Sequence, residues 1–411
     1  MRPDEALQAL RAAPCGARVL DVLSDHAGAW VVGGAVRDAL LGRGVAELDV
    51  VVEGDPEPVA RALGEVVAFH ERFNTYDVVA PGGCVVDVVM ARAEGYAAPG
   101  ALPDVRPGDL EDDLLRRDFT VNALALNAAG ELAAAPAALE DLEAGRLRVL
   151  HAASFRDDPT RLWRLVRYAV RLGFTPEPAT DRLAYEAVQR GALDTVSGDR
   201  LGAELRLALI EPDPLAALHA AQNLELVTGL RLDPLFVAEA LALLPPPRRA
   251  LRALLGPSAE DDAGADAGAD PSAPAAAPDP RRDLTILGAV IPDASWPDGY
   301  GFTAPEARIL ARCAAIDPVR DGAPSEVVAQ LAGEPLEAVA VAGARGSADA
   351  ARRFLDHDRH VRLAIDGNDL IAAGIPQGPD VGRRLAATLA RRLDGELGDD
   401  RDAQLAAALT A

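Results

Sequence analysis

Within its first 90 residues this chain sets five short runs rich in β-branched residues around a double glycine, and beyond His151 its apolar residues recur almost only at helical spacing. That division constrains the fold more than any other feature. Strand-length runs bounded by turn residues must pair with one another, whereas a 3.6-residue stripe is buried only by packing against other elements. The runs are Ala29–Val32, Leu48–Glu53, Val66–Phe69, Tyr76–Ala80 and Cys84–Met90. One helix is predicted over Pro3–Ser24, and a second opens at Gly33-Gly34 and continues to Leu41. The predicted class is α+β, with a mixed sheet and covering helices over residues 1–150 and an all-helical remainder. Around Leu162, Leu165, Val166, Ala169 and Leu172 the apolar residues share one helical face, and Arg161, Arg164, Arg167 and Arg171 project from the opposite side. The predicted segments are a head at 1–150, a neck at 151–215, a body at 216–348 and a tail at 349–411. The body includes a mobile Ala/Asp/Gly/Pro-rich linker at 256–283, and the tail a Gly/Pro turn between two helices at 364–382.

Composition narrows the function. All 41 basic residues are arginines, and against 64 acidic residues they leave a net charge of −23, which argues against a protein that coats nucleic acid indiscriminately. Local contact with RNA stays open, because between Gly145 and Arg206 eleven arginines stand against eight acids, and Arg383, Arg384, Arg391 and Arg392 form a second basic cluster. Cys15, Cys84 and Cys313 are far apart without metal-ligand spacing, which predicts reduced thiols and a cytoplasmic setting. The opening Met1-Arg2-Pro3-Asp4-Glu5 has no apolar signal core, and no run approaches membrane-spanning length, so no membrane partner is expected.

The chemistry is carried by a few residues. Glu47-Leu48-Asp49 runs into Val50-Val51-Val52, and acids at i and i+2 of a strand share a face. Asp87, in the Cys84–Met90 run, is the best-placed third carboxylate. Clustered carboxylates suit a hard cation such as Mg²⁺, and two such ions activate a hydroxyl nucleophile and neutralise a leaving pyrophosphate. Gly33 and Gly34 allow close backbone approach at a helix N-terminus, where phosphate is attracted, with Arg37 placed to hold triphosphate oxygens. The Gly33–Asp38 segment lacks the G-x-G-x-x-G spacing of dinucleotide folds.

Three stretches in this order, Gly33–Asp38, Arg116-Arg117-Asp118-Phe119-Thr120-Val121-Asn122-Ala123 and Asp157-Asp158-Pro159-Thr160-Arg161-Leu162-Trp163-Arg164, resemble the catalytic head of the bacterial-type (class II) tRNA nucleotidyltransferases. That family includes CCA-adding enzymes, their CC- and A-adding relatives and bacterial poly(A) polymerases. The resemblance covers about residues 25–215 strongly and the last 60 weakly. It implies a polymerase-β-type nucleotidyltransferase head, two Mg²⁺ ions held by Glu47, Asp49 and Asp87, and transfer of CMP and AMP from CTP and ATP to the 3′ acceptor end of tRNA. On the same resemblance Asp118 takes the ribose 2′-hydroxyl, Arg116 meets phosphate and Asn122 supports the site. Asp158 and Arg161 would read the base, the carboxylate accepting from C N4 or A N6 and the guanidinium donating to the ring nitrogen beside it. Asp157 and Arg164 would orient them, and Arg167 would join the nucleotide-binding set.

The resemblance carries further expectations. Arg72, within His70–Thr75, lies near substrate phosphate or orders a catalytic loop. The Gly95–Asp109 segment matches the family's flexible loop, whose presence favours addition of the terminal A. Ser197-Gly198-Asp199-Arg200 with Glu204-Leu205 caps and packs a helix. Two departures stand out. Glu47 replaces the usual first Asp, and misplacing a ligand by about one bond length can cost ~10²-fold in rate. Ala135–Leu142 lacks the usual Asp-Pro-glycine start, which stiffens a hinge there. A-adding enzymes and poly(A) polymerases share the head, and the departures keep a non-catalytic RNA-binding paralogue open. His357-Asp358 invites an HD phosphohydrolase reading, but no further His and Asp ligands can be placed with it.

Overall fold

The computed structural model describes residues 2–246 and 279–411. The chain forms two compact units, Met1–Thr228 and Gly229–Ala411.

In the first unit the strands are β1 (Ala29–Val32), β2 (Leu48–Val52), β3 (Glu65–His70), β4 (Thr75–Val79), β5 (Val85–Met90), β6 (Arg92–Gly95), β7 (Asp104–Pro107), β8 (Leu124–Leu126), β9 (Leu132–Ala134) and the short parallel pair β10 (Arg146–Leu147) and β11 (Thr175–Pro176). Seven of them make one sheet in the order β3-β4-β5-β2-β1-β8-β9, while β6 and β7 pair as a separate antiparallel ribbon. Within the large sheet only β2 and β5 run parallel, in the register that sets Asp49 opposite Asp87. Along β2, Leu48 is buried, Asp49 is exposed, and Val50, Val51 and Val52 are all buried. The alternation stops where both faces of the strand are covered. Burying such a Val or Leu contributes roughly 1.5–3 kcal/mol.

The helices of this unit begin with α1 (Pro3–Ala12), α2 (Gly16–Ser24), α3 (Gly34–Leu40) and α4 (Glu57–Leu63). The single helix predicted over Pro3–Ser24 is thus two. Pro14 has no N–H to donate, and Cys15 takes a left-handed φ of 55°. Gly16 is required at that corner, because a Cβ would run into the Leu10 carbonyl oxygen. Next come α5 (Leu110–Leu115), α6 (Ala138–Glu143), α7 (Ser154–Asp157), α8 (Thr160–Leu172), α9 (Pro178–Gln189), α10 (Gly198–Leu209) and α11 (Pro214–Asn223). Ahead of α6, Ala137 has φ 64° in the segment that departs from the family pattern, a left-handed conformation that glycine would take without strain.

The second unit is helical throughout its described residues: α12 (Pro234–Leu243), α13 (Arg282–Val290), α14 (Ala304–Ala315), α15 (Pro324–Leu331), α16 (Leu336–Arg345), α17 (Ala348–Asp356), α18 (Gly367–Ala372), α19 (Pro379–Leu393) and α20 (Arg401–Thr410). Its centre is α16, where Ala338, Val339, Ala340, Val341 and Ala342 are fully buried. A Cβ on Gly343 would lie 2.5 Å from Ala351 and 2.7 Å from Leu243, so that glycine lets α12 and α17 close on α16. Of the linker expected at 256–283, residues 256–278 lie outside the described residues, and Arg282 and Asp283 already belong to α13. The segment read as a turn at 364–382 contains α18, whose N-terminus is capped by the Asp366 carboxylate accepting from the Asn368 and Asp369 amides. The basic cluster on α19 is paired with three carboxylates. Arg383 and Arg384 both pair with Asp380, Arg391 with Glu396 and Arg392 with Asp399.

Among the described residues no helix is long and apolar enough to cross a membrane. The expectation of reduced thiols is corrected for two of the three cysteines. Cys15 and Cys84 form a disulfide with a Cα–Cα distance of 6.3 Å, joining the α1–α2 corner to the β4–β5 turn. Sequence spacing could not show it, because 69 residues separate the pair. Closing a loop of that length stabilises by about 4 kcal/mol. Reduction is therefore expected to lower the first unit's melting temperature by about 10 °C, measured by scanning calorimetry with and without a reductant.

Candidate active site

A cavity of about 720 Å³ opens beside the glycine turn, and the predicted site residues line it except Asp87, Asp157 and Arg72. The size is that of a small-ligand site, and the arginine-rich wall suits an anion. Gly33 has φ 70°, and a Cβ there would sit 2.8 Å from Arg117 Nη1. The turn is therefore open to a guanidinium that a larger residue would push away.

Glu47 and Asp49 enter the cavity from the start of β2, and Asp87 lies one strand over, directly across from Asp49. Asp49 is open to the cavity, yet the surrounding protein desolvates it and the charges of Asp87 and Glu47 add to that effect. Together they raise its pKa against the pull of Arg117. Asp87 is raised too, first by desolvation, then by Asp77 and Glu47. Asp77, missed in the sequence, pairs with Asp87 across β4–β5 and accepts from His70 Nε2 at 3.2 Å when that nitrogen carries the proton. Among the described residues no three His, Cys, Asp or Glu side chains stand together in a cluster suited to a metal. The all-oxygen donor set and its mutual repulsion nevertheless fit hard divalent cations.

The arginines are less free than their sequence pattern implies. Arg37 is buried, donates to both Asp38 carboxylate oxygens at 2.9 Å and reaches Asn122 Oδ1 at 2.6 Å. Arg116 gives Nε and Nη2 to Asp113 Oδ1 and Nη1 to Glu94. Arg117 gives Nε and Nη2 to Asp113 Oδ2, and its Nη1 carries no protein hydrogen bond among the described residues. Burial acts to raise the Asp113 pKa, but Arg117 and Arg116 outweigh it and lower the value. On α8, Arg167 pairs with Glu204 and Glu211, and Arg171 with Glu211. The row read as a basic surface for RNA is therefore a wall whose Arg164, Arg167 and Arg171 are paired with acids. Tyr168 stands among it, with the Arg37, Arg164 and Arg171 guanidinium groups 5.5, 5.6 and 5.9 Å from its ring centre.

Asp118 is buried and accepts three hydrogen bonds. Its Oδ1 accepts from the Phe119 amide at 2.8 Å and Asn122 Nδ2 at 2.9 Å, and its Oδ2 accepts from Arg164 Nε at 2.7 Å. Asp158 and Arg161 both line the cavity, but they do not share a helical face as the spacing implied, because α8 starts at Thr160 and Asp158 has extended backbone ahead of it. Arg161 is buried and pinned by Ser154 Oγ at 2.6 Å and the Arg116 carbonyl at 2.8 Å. Asp158 Oδ1 takes the Thr160 amide and hydroxyl together with Arg200, while Oδ2 is without a protein hydrogen bond among the described residues. Asp157 pairs with Arg156. The segment matched to a flexible loop is the β6–β7 ribbon, and Gly100 near its tip accepts from Arg200 Nη1 at 2.7 Å and donates to the Arg156 carbonyl at 3.2 Å. Arg72 stacks on Phe73, which lines the cavity.

Residues 29–148 match the family model of the poly A polymerase head domain. An A-adding tRNA nucleotidyltransferase of Geobacter sulfurreducens is 43% identical over 223 residues, covering 52% of this chain and 25% of that protein. A CC-adding tRNA nucleotidyltransferase of Deinococcus radiodurans is 44% identical over 192 residues, covering 45% of this chain and 50% of that protein. The match thus spans a quarter to a half of the length of these relatives. A CCA-adding enzyme in its apo form shares the fold at a TM-score of 0.71 and 27% identity, covering 96% of this chain and 94% of that one.

The Asp118–Arg164 pair yields a test of stability. Burial acts to raise the Asp118 pKa, but Arg164 and the Asn122 amide outweigh it and lower the value. Its stabilisation is therefore present above the unfolded value of about 3.9 and lost as pH falls through the depressed folded value. Asp118→Asn is expected to cost about 3 kcal/mol at pH 7 and to flatten the loss of stability below about pH 4, both read from urea unfolding across pH.

Proposed function

We propose that this chain, whose residues 29–148 match the family model of the poly A polymerase head domain, joins nucleotides to the 3′ end of tRNA, transferring CMP or AMP from CTP or ATP and releasing pyrophosphate. The observation that carries the reading is the register of Asp49 against Asp87 beside an arginine-lined cavity. Glu47, Asp49 and Asp87 would hold two Mg²⁺ ions. When bound, such ions activate the attacking hydroxyl and neutralise the leaving pyrophosphate. The chain's own residues do the rest. Gly33 leaves room at the turn, Arg117 presents an open nitrogen there, and Asp158 presents Oδ2 to the exocyclic amine that C and A share. Asp118, held by Arg164 and Asn122, is the acceptor for a ribose 2′-hydroxyl.

In this reading residues 1–150 act as head and 151–215 as neck, and 216–348 and 349–411, as body and tail, bind the tRNA in the cytoplasm. The head does not separate the activities, because relatives named A-adding and CC-adding match it at 43% and 44% identity. The deciding assay is primer extension on tRNA lacking its terminal CCA and on tRNA already ending in CC, with each nucleoside triphosphate supplied singly and with both together. CTP incorporation that ATP extends when both are supplied marks full CCA addition, ATP incorporation only on tRNA already ending in CC marks A addition, and incorporation on neither tRNA overturns the reading.

Asp49→Ala is expected to lower incorporation by at least ~10³-fold while tRNA binding in a gel-shift assay stays within about twofold. Asp158→Ala is expected to admit UTP or GTP at about a tenth or more of the cognate rate, because the acceptor that faces a carbonyl unfavourably is gone. Unchanged base choice in that variant would place the reading of the base elsewhere.

A further inference from the structure

We propose that Asp113 is a positioning residue acting through Arg117, holding that guanidinium against the glycine turn where it meets the phosphates of the incoming nucleotide. The inference rests on the nucleotide-transfer reading for the identity of the ligand. Asp113 is fully buried at the end of α5 and does not line the cavity, so it touches no substrate. Its two oxygens are divided between neighbours. Oδ1 holds Arg116 at 2.9 and 2.6 Å, and Oδ2 holds Arg117 at 3.2 and 2.8 Å.

The two arginines end up with different tasks. Arg116 spends all three nitrogens on Asp113 and Glu94 and offers its backbone carbonyl to Arg161, so it braces the β6–β7 ribbon and the neck. Arg117 is fixed by Nε and Nη2, which leaves Nη1 facing the bare Cα of Gly33. The charges agree. Arg92, Arg116 and Arg117 are faced by Glu94 and Asp113, which leaves one net positive charge, and the open nitrogen belongs to Arg117. An arginine has many rotamers, and a buried carboxylate gripping two of its nitrogens removes that freedom before an anion arrives. The sequence resemblance placed Arg116 on phosphate. The geometry assigns that contact to Arg117.

The test is calorimetric binding of magnesium pyrophosphate and of AMP to the full chain and its variants. Asp113→Asn is expected to weaken pyrophosphate binding by about tenfold and to leave AMP within about twofold. Arg117→Ala weakens pyrophosphate by a similar or larger factor, and the double variant is no worse than Arg117→Ala alone, as residues acting through one contact require. Multiplying losses in the double variant, or an Asp113→Asn defect equal for AMP and pyrophosphate, would overturn the proposal. Should Asp113→Asn not fold, Asp113→Glu keeps the charge on a longer arm and is expected to show the same selective loss, with an equal loss for both ligands again overturning it. Because the readout is binding, a chain that shows this pattern yet joins no nucleotide to tRNA sinks the transfer reading alone.

Discussion

Because β2 and β5 run parallel in the register that sets Asp49 against Asp87, the backbone positions that carry these two acids are held one strand spacing apart, roughly 4.8 Å. A slip of one residue would turn either acid to the opposite face of the sheet. The connection that makes the parallel pairing possible runs through α4, β3 and β4, and β4 then pairs antiparallel with β5 and adds Asp77 to the same row. Burial first, and then the charges of neighbouring carboxylates, raise the pKa of both Asp49 and Asp87. Only a positive partner makes such a cluster favourable.

The opposite wall of the cavity solves the reverse problem. Arginines at 37, 116, 117, 161, 164 and 167 are brought into a half-enclosed space, where an unpaired buried charge would be very costly. Each is matched by a protein acceptor: Asp38 and Asn122, Asp113 and Glu94, the Ser154 hydroxyl and the Arg116 carbonyl, Asp118, Glu204 and Glu211. These pairings fix where the nitrogens sit, which suits orientation of a ligand better than long-range attraction. They also place part of the chain's excess of acids against its arginines, so net charge and basic runs are poor guides to where RNA would lie.

Much of the fold was legible because it rests on local rules. The runs at 48–53, 76–80 and 84–90 became β2, β4 and β5, and the glycine pair became the turn before α3. Most of the cavity lining was legible as well, because the Arg116–Ala123 and Asp157–Arg164 stretches are specific in residue type and spacing. The misreadings share one cause. The helix at 3–24 broke at Pro14 and Cys15, Asp158 fell just outside α8, and the α8 arginines turned inward. Each outcome depends on what lies across the contact: the Leu10 carbonyl at the Gly16 corner, and Arg200 and Glu211, which are distant in sequence from the residues they hold.

Residue type and spacing, on their own, determined the class of fold, the strand bearing Glu47 and Asp49, the glycine turn and the family of the head, since backbone preference and periodicity are written locally. Tertiary structure alone decided that Asp87 faces Asp49, that Cys15 meets Cys84, and that of two adjacent arginines Arg117 keeps an open nitrogen while Arg116 is consumed. The reason is physical: a side chain's partners are fixed by which segments pack together, and hydrogen-bonding capacity, once given to one neighbour, is not available to another.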